Sequence, residues 1–176
     1  MKYIKAFEQQ KNKNKITLYL SDRNLTELPD LSEYTNLKEL CCYNNHLTSL
    51  PELPQSLYNL YCYNNKLTSL PELPKSLTNL NCPNNNLTEL PKLPQSLTNL
   101  NCSHNNLTSL PELPDTLKYL NCFNNNLTSL PELPDSLEYL NCSNNNLPYD
   151  NLKEYKEWKK DPITWETNKA ASKYNI

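Results

Sequence analysis

The groups in this chain that can do chemistry are thiols, imidazoles and carboxylates. Seven cysteines and two histidines occur in 176 residues. Six of the cysteines (Cys42, Cys62, Cys82, Cys102, Cys122 and Cys142) recur every 20 residues, and Cys41 stands beside the first. A structural zinc site needs four converging ligands, usually offered as closely paired Cys or His residues; this spacing offers one thiol per interval. A thiol nucleophile needs an imidazole in hydrogen-bond contact and a third group to orient it, and His46 and His104 stand at different offsets in widely separated intervals. Glu52, Glu72, Glu112 and Glu132 repeat at the same interval, with Lys92 interrupting their line. That is a solvated row, not an acid–base pair. Glycine is absent, which removes the glycine-rich loops that cradle phosphates. The expectation is a non-catalytic chain with no metal and no cofactor, its six periodic thiols reduced and packed as small apolar groups.

These residues belong to a repeat. The unit Leu57-Tyr-Asn-Leu60-Tyr-Cys62-Tyr-Asn-Asn65-Lys-Leu67-Thr-Ser-Leu70-Pro-Glu-Leu73-Pro-Lys-Ser76 returns with few changes between Leu37 and Leu147. Leu60 and Cys62, two apart, point to one side of an extended strand. Leu67, Leu70 and Leu73 recur every three residues around prolines, which fix φ and push the preceding residue to extended geometry. Each unit is therefore expected to be a flat coil: a short strand, a turn at the ninth-position asparagines (Asn45, Asn65, Asn85, Asn105, Asn125, Asn145), and a polyproline-like return. Asparagine amides donate and accept, so they can pair with backbone groups that the turn would leave alone.

This pattern resembles the leucine-rich-repeat family, L-x-x-L-x-L-x-x-N/C-x-L, with cysteine at the third apolar position. The 20-residue length and the Leu-Pro-x-Leu-Pro return are similar to the short bacterial class found in type III secreted effectors, and to repeats of giant viruses. The resemblance implies a repeat solenoid: a leucine-rich-repeat superhelix of about seven coils with a parallel concave β-sheet, an extended convex side and short helical caps. Ubiquitin-ligase effectors of that class carry a catalytic Cys-x-Asp after the array. No cysteine here is followed two residues later by aspartate, so the activity does not carry over.

The ends differ from the array. Residues 1–14, with Tyr3, Ile4 and Phe7 at helical spacing, are expected to cap it, residues 15–148 to form the coils, and residues 149–176 to form a helical cap. In the last segment Asp150 is the expected helix cap, Leu152, Tyr155 and Trp158 fall on one helical face, and Asp161-Pro162 restarts a helix. Trp158 and Trp165 are expected to seal the last coil.

Function is then left to the outward strand face. Its residues are mostly Asn and Tyr, a composition suited to recognition by rigid aromatic contact and adaptable hydrogen bonding. Where coils depart from the common string, two aromatic groups stand out: Tyr43, Tyr58, Tyr61 and Tyr63, then Lys118, Tyr119, Phe123 and Tyr139. With Asn81, Asn101, His104 and Asn121 these make the candidate surface for a protein or peptide partner. Net charge is −2 and Lys and Arg are few on the strands, which suits phosphate backbones poorly. No apolar run is long enough to span a membrane, and Met1–Gln10 has no signal core. The chain reads as a cytoplasmic monomer, in a host cytoplasm if it is a secreted effector or a viral protein. The alternatives are the substrate-recognition part of a ubiquitin-ligase-like effector, or a scaffold facing carbohydrate or nucleic acid.

Overall fold

A computed structural model describes residues 16–174. Seven three-residue strands follow one another: β1 (Thr17–Tyr19), β2 (Glu39–Cys41), β3 (Asn59–Tyr61), β4 (Asn79–Asn81), β5 (Asn99–Asn101), β6 (Tyr119–Asn121) and β7 (Tyr139–Asn141). They pair in parallel and in sequence order. The register is the repeat itself: Leu18, Leu40, Leu60, Leu80, Leu100, Leu120 and Leu140 align. Two helices follow, α1 (Leu152–Lys160) and α2 (Pro162–Tyr174). The expected N-terminal cap, residues 1–14, lies outside the described residues.

Each rung contributes leucines and one cysteine to a single core that runs the length of the stack. All six periodic thiols are buried and unbridged. Between strands the chain has no regular helix, and each Leu-Pro-x-Leu-Pro return ends in a tight turn. In that turn the Leu57 amide donates to the Pro54 carbonyl at 3.0 Å, repeated at Leu77, Leu97, Leu117 and Leu137. The hydroxyl just before each new rung ties rung to rung: Ser56, Ser76, Ser96, Thr116 and Ser136 donate to the carbonyls of Leu37, Leu57, Leu77, Leu97 and Leu117. The repeated serine offered this signal, and only the stacked geometry gives it a partner.

The ninth-position asparagines act as expected. Asn105 accepts from the Leu87 amide of the rung before and donates to the carbonyls of Cys82 and Cys102. Each of these asparagines therefore joins two rungs. The residue just before each of them was not foreseen as special. Asn44, Asn64, Asn84, His104, Asn124 and Asn144 all have φ between 52° and 55°. This left-handed region favours glycine, and asparagine tolerates it best among the other residues. A chain without glycine turns on asparagine after β2, β3, β4, β6 and β7, on histidine after β5, and on Asp22, φ 58°, after β1.

The stack closes at its C-terminal end. There the Cys142 amide donates to the Asp150 carbonyl, and Asn151 forms an antiparallel bridge with Asn141. The helix cap is Asn151, not Asp150. Its side chain accepts from the Glu154 amide at 3.0 Å, while Glu154 reaches back to the Asp150 amide at 3.1 Å. Asp150 is occupied in closing the sheet edge, so the cap falls one residue later. Tyr155 is buried, with Leu152 and Trp158 packed against the core. The Trp158 ring lies 5.1 Å from that of buried Tyr149, and Trp165 donates to the Pro148 carbonyl. α2 starts at Pro162, with the Thr164 amide donating to Asp161. Among the described residues no helix is long and apolar enough to cross a membrane.

Candidate binding face

Side chains that alternate with the buried leucines face outward from the sheet. One column runs Thr17, Glu39, Asn59, Asn79, Asn99, Tyr119, Tyr139; the next runs Tyr19, Cys41, Tyr61, Asn81, Asn101, Asn121, Asn141. Just past the strands come Tyr43, Tyr63, Pro83, Ser103, Phe123 and Ser143, and then the left-handed residues. The face is a grid, with rungs about 4.8 Å apart.

The first aromatic group divides. Tyr43 and Tyr63 stack at 4.5 Å with rings 4° from parallel. Tyr61 lies on the same strand face and receives the Asn79 amide at 3.4 Å. Tyr58 precedes the strand and stands apart, its ring 4.8 Å from the Lys38 ammonium. Burial, then neighbouring Tyr43 and Asp22, raise the Tyr63 phenol above its ordinary value.

The second group pairs similarly. Tyr119 and Tyr139 stack at 4.5 Å, beside a Lys118–Glu138 ion pair at 3.1 Å. Phe123 sits on His104 instead, edge to face at 5.0 Å. His104 in turn meets the Asn124 amide through Nδ1 at 3.1 Å; with the amide donating, Nδ1 is the acceptor and the proton sits on Nε2.

The asparagines are not equivalent. Oδ1 of Asn101 accepts from the amide and hydroxyl of Ser103, and Oδ1 of Asn121 accepts from the Phe123 amide. Beside Asn81, Pro83 has no amide to offer. A second asparagine ladder runs along the rim, Asn64 donating to Asn44 and Asn44 to Asp22.

Two residues change standing. Cys41 has an outward position but only 5% of it is exposed. It lies between Tyr19 and Tyr61 in register, and burial followed by the charge of Glu39 pushes its thiol up to about 11. Tyr19, 60% exposed, belongs to the face and was missed. Its signal was present: Tyr19 follows the aligned Leu18 as Tyr61 follows Leu60, but the irregular first unit hid the correspondence. No group of three or more metal-ligating side chains converges among the described residues.

The parallel sheet, the leucine and cysteine core and the asparagine turn define a leucine-rich-repeat solenoid. The family's sequence model, described as leucine-rich repeats in two copies, matches residues 35–75 and 95–135. The chain belongs to the leucine-rich-repeat proteins, with the short repeat of the bacterial type. Solved structures similar to it include YopM from Yersinia enterocolitica, at 42% identity and TM-score 0.74, covering 82% of this chain and 31% of that one. Another is a Shigella effector leucine-rich-repeat domain, at 40% identity and TM-score 0.70, covering 75% and 60%. A third is YopM from Yersinia pestis, titled a leucine-rich effector protein, at 37% identity and TM-score 0.68, covering 81% and 40%. The chain thus spans between 31% and 60% of the length of these structures. No curated protein sequence matches it.

Proposed function

We propose that this chain is a non-catalytic interaction module that holds a protein or peptide partner against the strand face. The observation that supports it most is the distribution of aromatic residues. On that face the repeat is broken in favour of tyrosine, and the tyrosines gather in pre-stacked pairs at its two ends. Rings already packed on one another lose little freedom on binding, which is what an anchor requires. Likeness to effector repeat domains supports a place among secreted effectors acting in a host cytoplasm.

The test is capture from cell lysate with the wild type beside Tyr43/Tyr58/Tyr61/Tyr63→Ala and Tyr119/Tyr139→Ala, each shown to be folded by circular dichroism. Loss of the same partner from a folded variant supports the proposal. Identical catches from all three proteins reject it.

A further inference from the structure

Adjacent tyrosines on this face close on each other, as the 4.5 Å stacks of Tyr43 with Tyr63 and Tyr119 with Tyr139 do. Tyr19 and Tyr61 do not have that arrangement. They occupy the same column two rungs apart, and the place between them holds Cys41. Two rungs are about 9.6 Å. The thiol between them is only 5% exposed, so the rings lean over it, while Tyr19 keeps 60% of its surface open.

Glu39 stands on the same strand, two residues from Cys41. Its Oε1 lies 3.8 Å from the Cys41 sulfur and its Oε2 3.4 Å from the Asn59 amide. The Tyr19 hydroxyl also hydrogen-bonds Glu39, so among the described residues the carboxylate is met only by neutral donors and by no cation. The nearest cation in sequence, Lys38, is turned to the Tyr58 ring instead. Among the described residues the ion pairs join Lys118, Lys159 and Lys169 to acids elsewhere, and none includes Glu39. The carboxylate is half-buried and its charge is felt locally. It is the largest cause raising the Tyr19 phenol, and it also raises Tyr61, where burial comes first.

We infer that Glu39, framed by Tyr19 and Tyr61, is the seat for a guanidinium, an arginine side chain of the bound partner. A guanidinium is planar and offers paired donors to a carboxylate while its face stacks on aromatic rings. The grid supplies both partners at once: the half-buried carboxylate and, beside it, the exposed Tyr19 ring. Lys38 over Tyr58 is the same attraction already made within the chain. The inference rests on the strand face being the binding face and adds the chemistry of what enters its N-terminal end.

The experiment is an NMR titration of the isotope-labelled protein with Ac-Gly-Arg-Gly-NH2 and with the same peptide carrying citrulline, which keeps the shape and loses the charge. The expected result is saturable shifts confined to Tyr19, Glu39, Cys41 and Tyr61, with the arginine peptide binding about tenfold more tightly than citrulline. Glu39→Gln should remove that preference, and Tyr19→Leu, at an exposed ring, should weaken arginine binding about threefold. Equal binding of the two peptides, an arginine preference that survives Glu39→Gln, or no saturable shift at these residues overturns the inference. The outcomes separate the two proposals. A lysate partner that depends on the tyrosines but ignores Glu39→Gln sinks only the guanidinium, whereas a partner indifferent to the tyrosines sinks the strand-face reading itself.

Discussion

Asn105 shows what a single residue does in this architecture. One buried side chain accepts the Leu87 amide and donates to carbonyls of two rungs. Asn105→Ala should cost about 1–3 kcal/mol, because four backbone groups lose a partner where water is excluded. Asn105→Asp should cost more, since a carboxylate cannot donate to carbonyls and is itself buried; urea unfolding of the three proteins gives the order. The position just before it in the repeat obeys a different rule. Asn124 holds φ 55° and an exposed side chain. Asn124→Gly should be close to neutral, while Asn124→Ala should lose about 1–2 kcal/mol through the left-handed backbone alone. The sequence marked the ninth-position asparagine as the turn residue and did not single out the one before it. It could not disclose which of the two was twisted and which was buried, because that depends on the rung above and the rung below.

The thiols carry a pH signature at the same scale. Burial pushes Cys42 and Cys82 from an ordinary 9.0 up to about 12. A raised value means that the folded state holds its proton after the unfolded chain has lost it. Stability is therefore fully present below about pH 9 and declines as pH rises from there towards about 12. Urea midpoints measured across that range should be flat and then fall, and Cys82→Ala should make the fall shallower. In the native protein near neutral pH a thiol reagent should label the column slowly, and quickly only after unfolding.

Among the elements, the strands were the most legible. Leu-x-x-Leu-x-Cys prescribes an extended segment, and three-residue strands appear wherever it occurs. The prolines likewise foretold a return without helix. The C-terminal segment was legible in type and misjudged in detail, since α1 is present with Leu152, Tyr155 and Trp158 inward but capped by Asn151. A pairing of residues 141 and 151 across a turn moves the cap, and no local pattern announces such a pairing. Asn151→Ala should cost about 1 kcal/mol. Because α1 lies against β7, that variant should lose hydrogen-exchange protection first in β7, while β4 keeps its own.

At the scale of the molecule, every strand touches only its neighbours, so stability propagates along one dimension. Leu100 is fully buried in the central region of the stack. Leu100→Ala should cost about 2–5 kcal/mol and, unlike a substitution at either end, should weaken the coupling between the two halves. Denaturant unfolding followed separately by Tyr signals near β2–β3 and Trp signals near α1 should then no longer coincide. The fold class could be read at this scale because period, strand and return all agreed. The binding face could be read only in outline: columns follow from the repeat, whereas the burial of Cys41 and the membership of Tyr19 follow from which rungs are neighbours.

The antiparallel bridge between Asn141 and Asn151 turns a repetitive object into a finite one. A parallel ladder has no internal reason to stop, and each strand is a template for the next. Here the final template is consumed by the chain's own reversal, so another molecule cannot extend the ladder from that side. On that side, length can change only by whole units spliced in ahead of β7. Duplicating residues 77–96 should therefore yield a folded protein lengthened by about 4.8 Å, with its terminal lock intact.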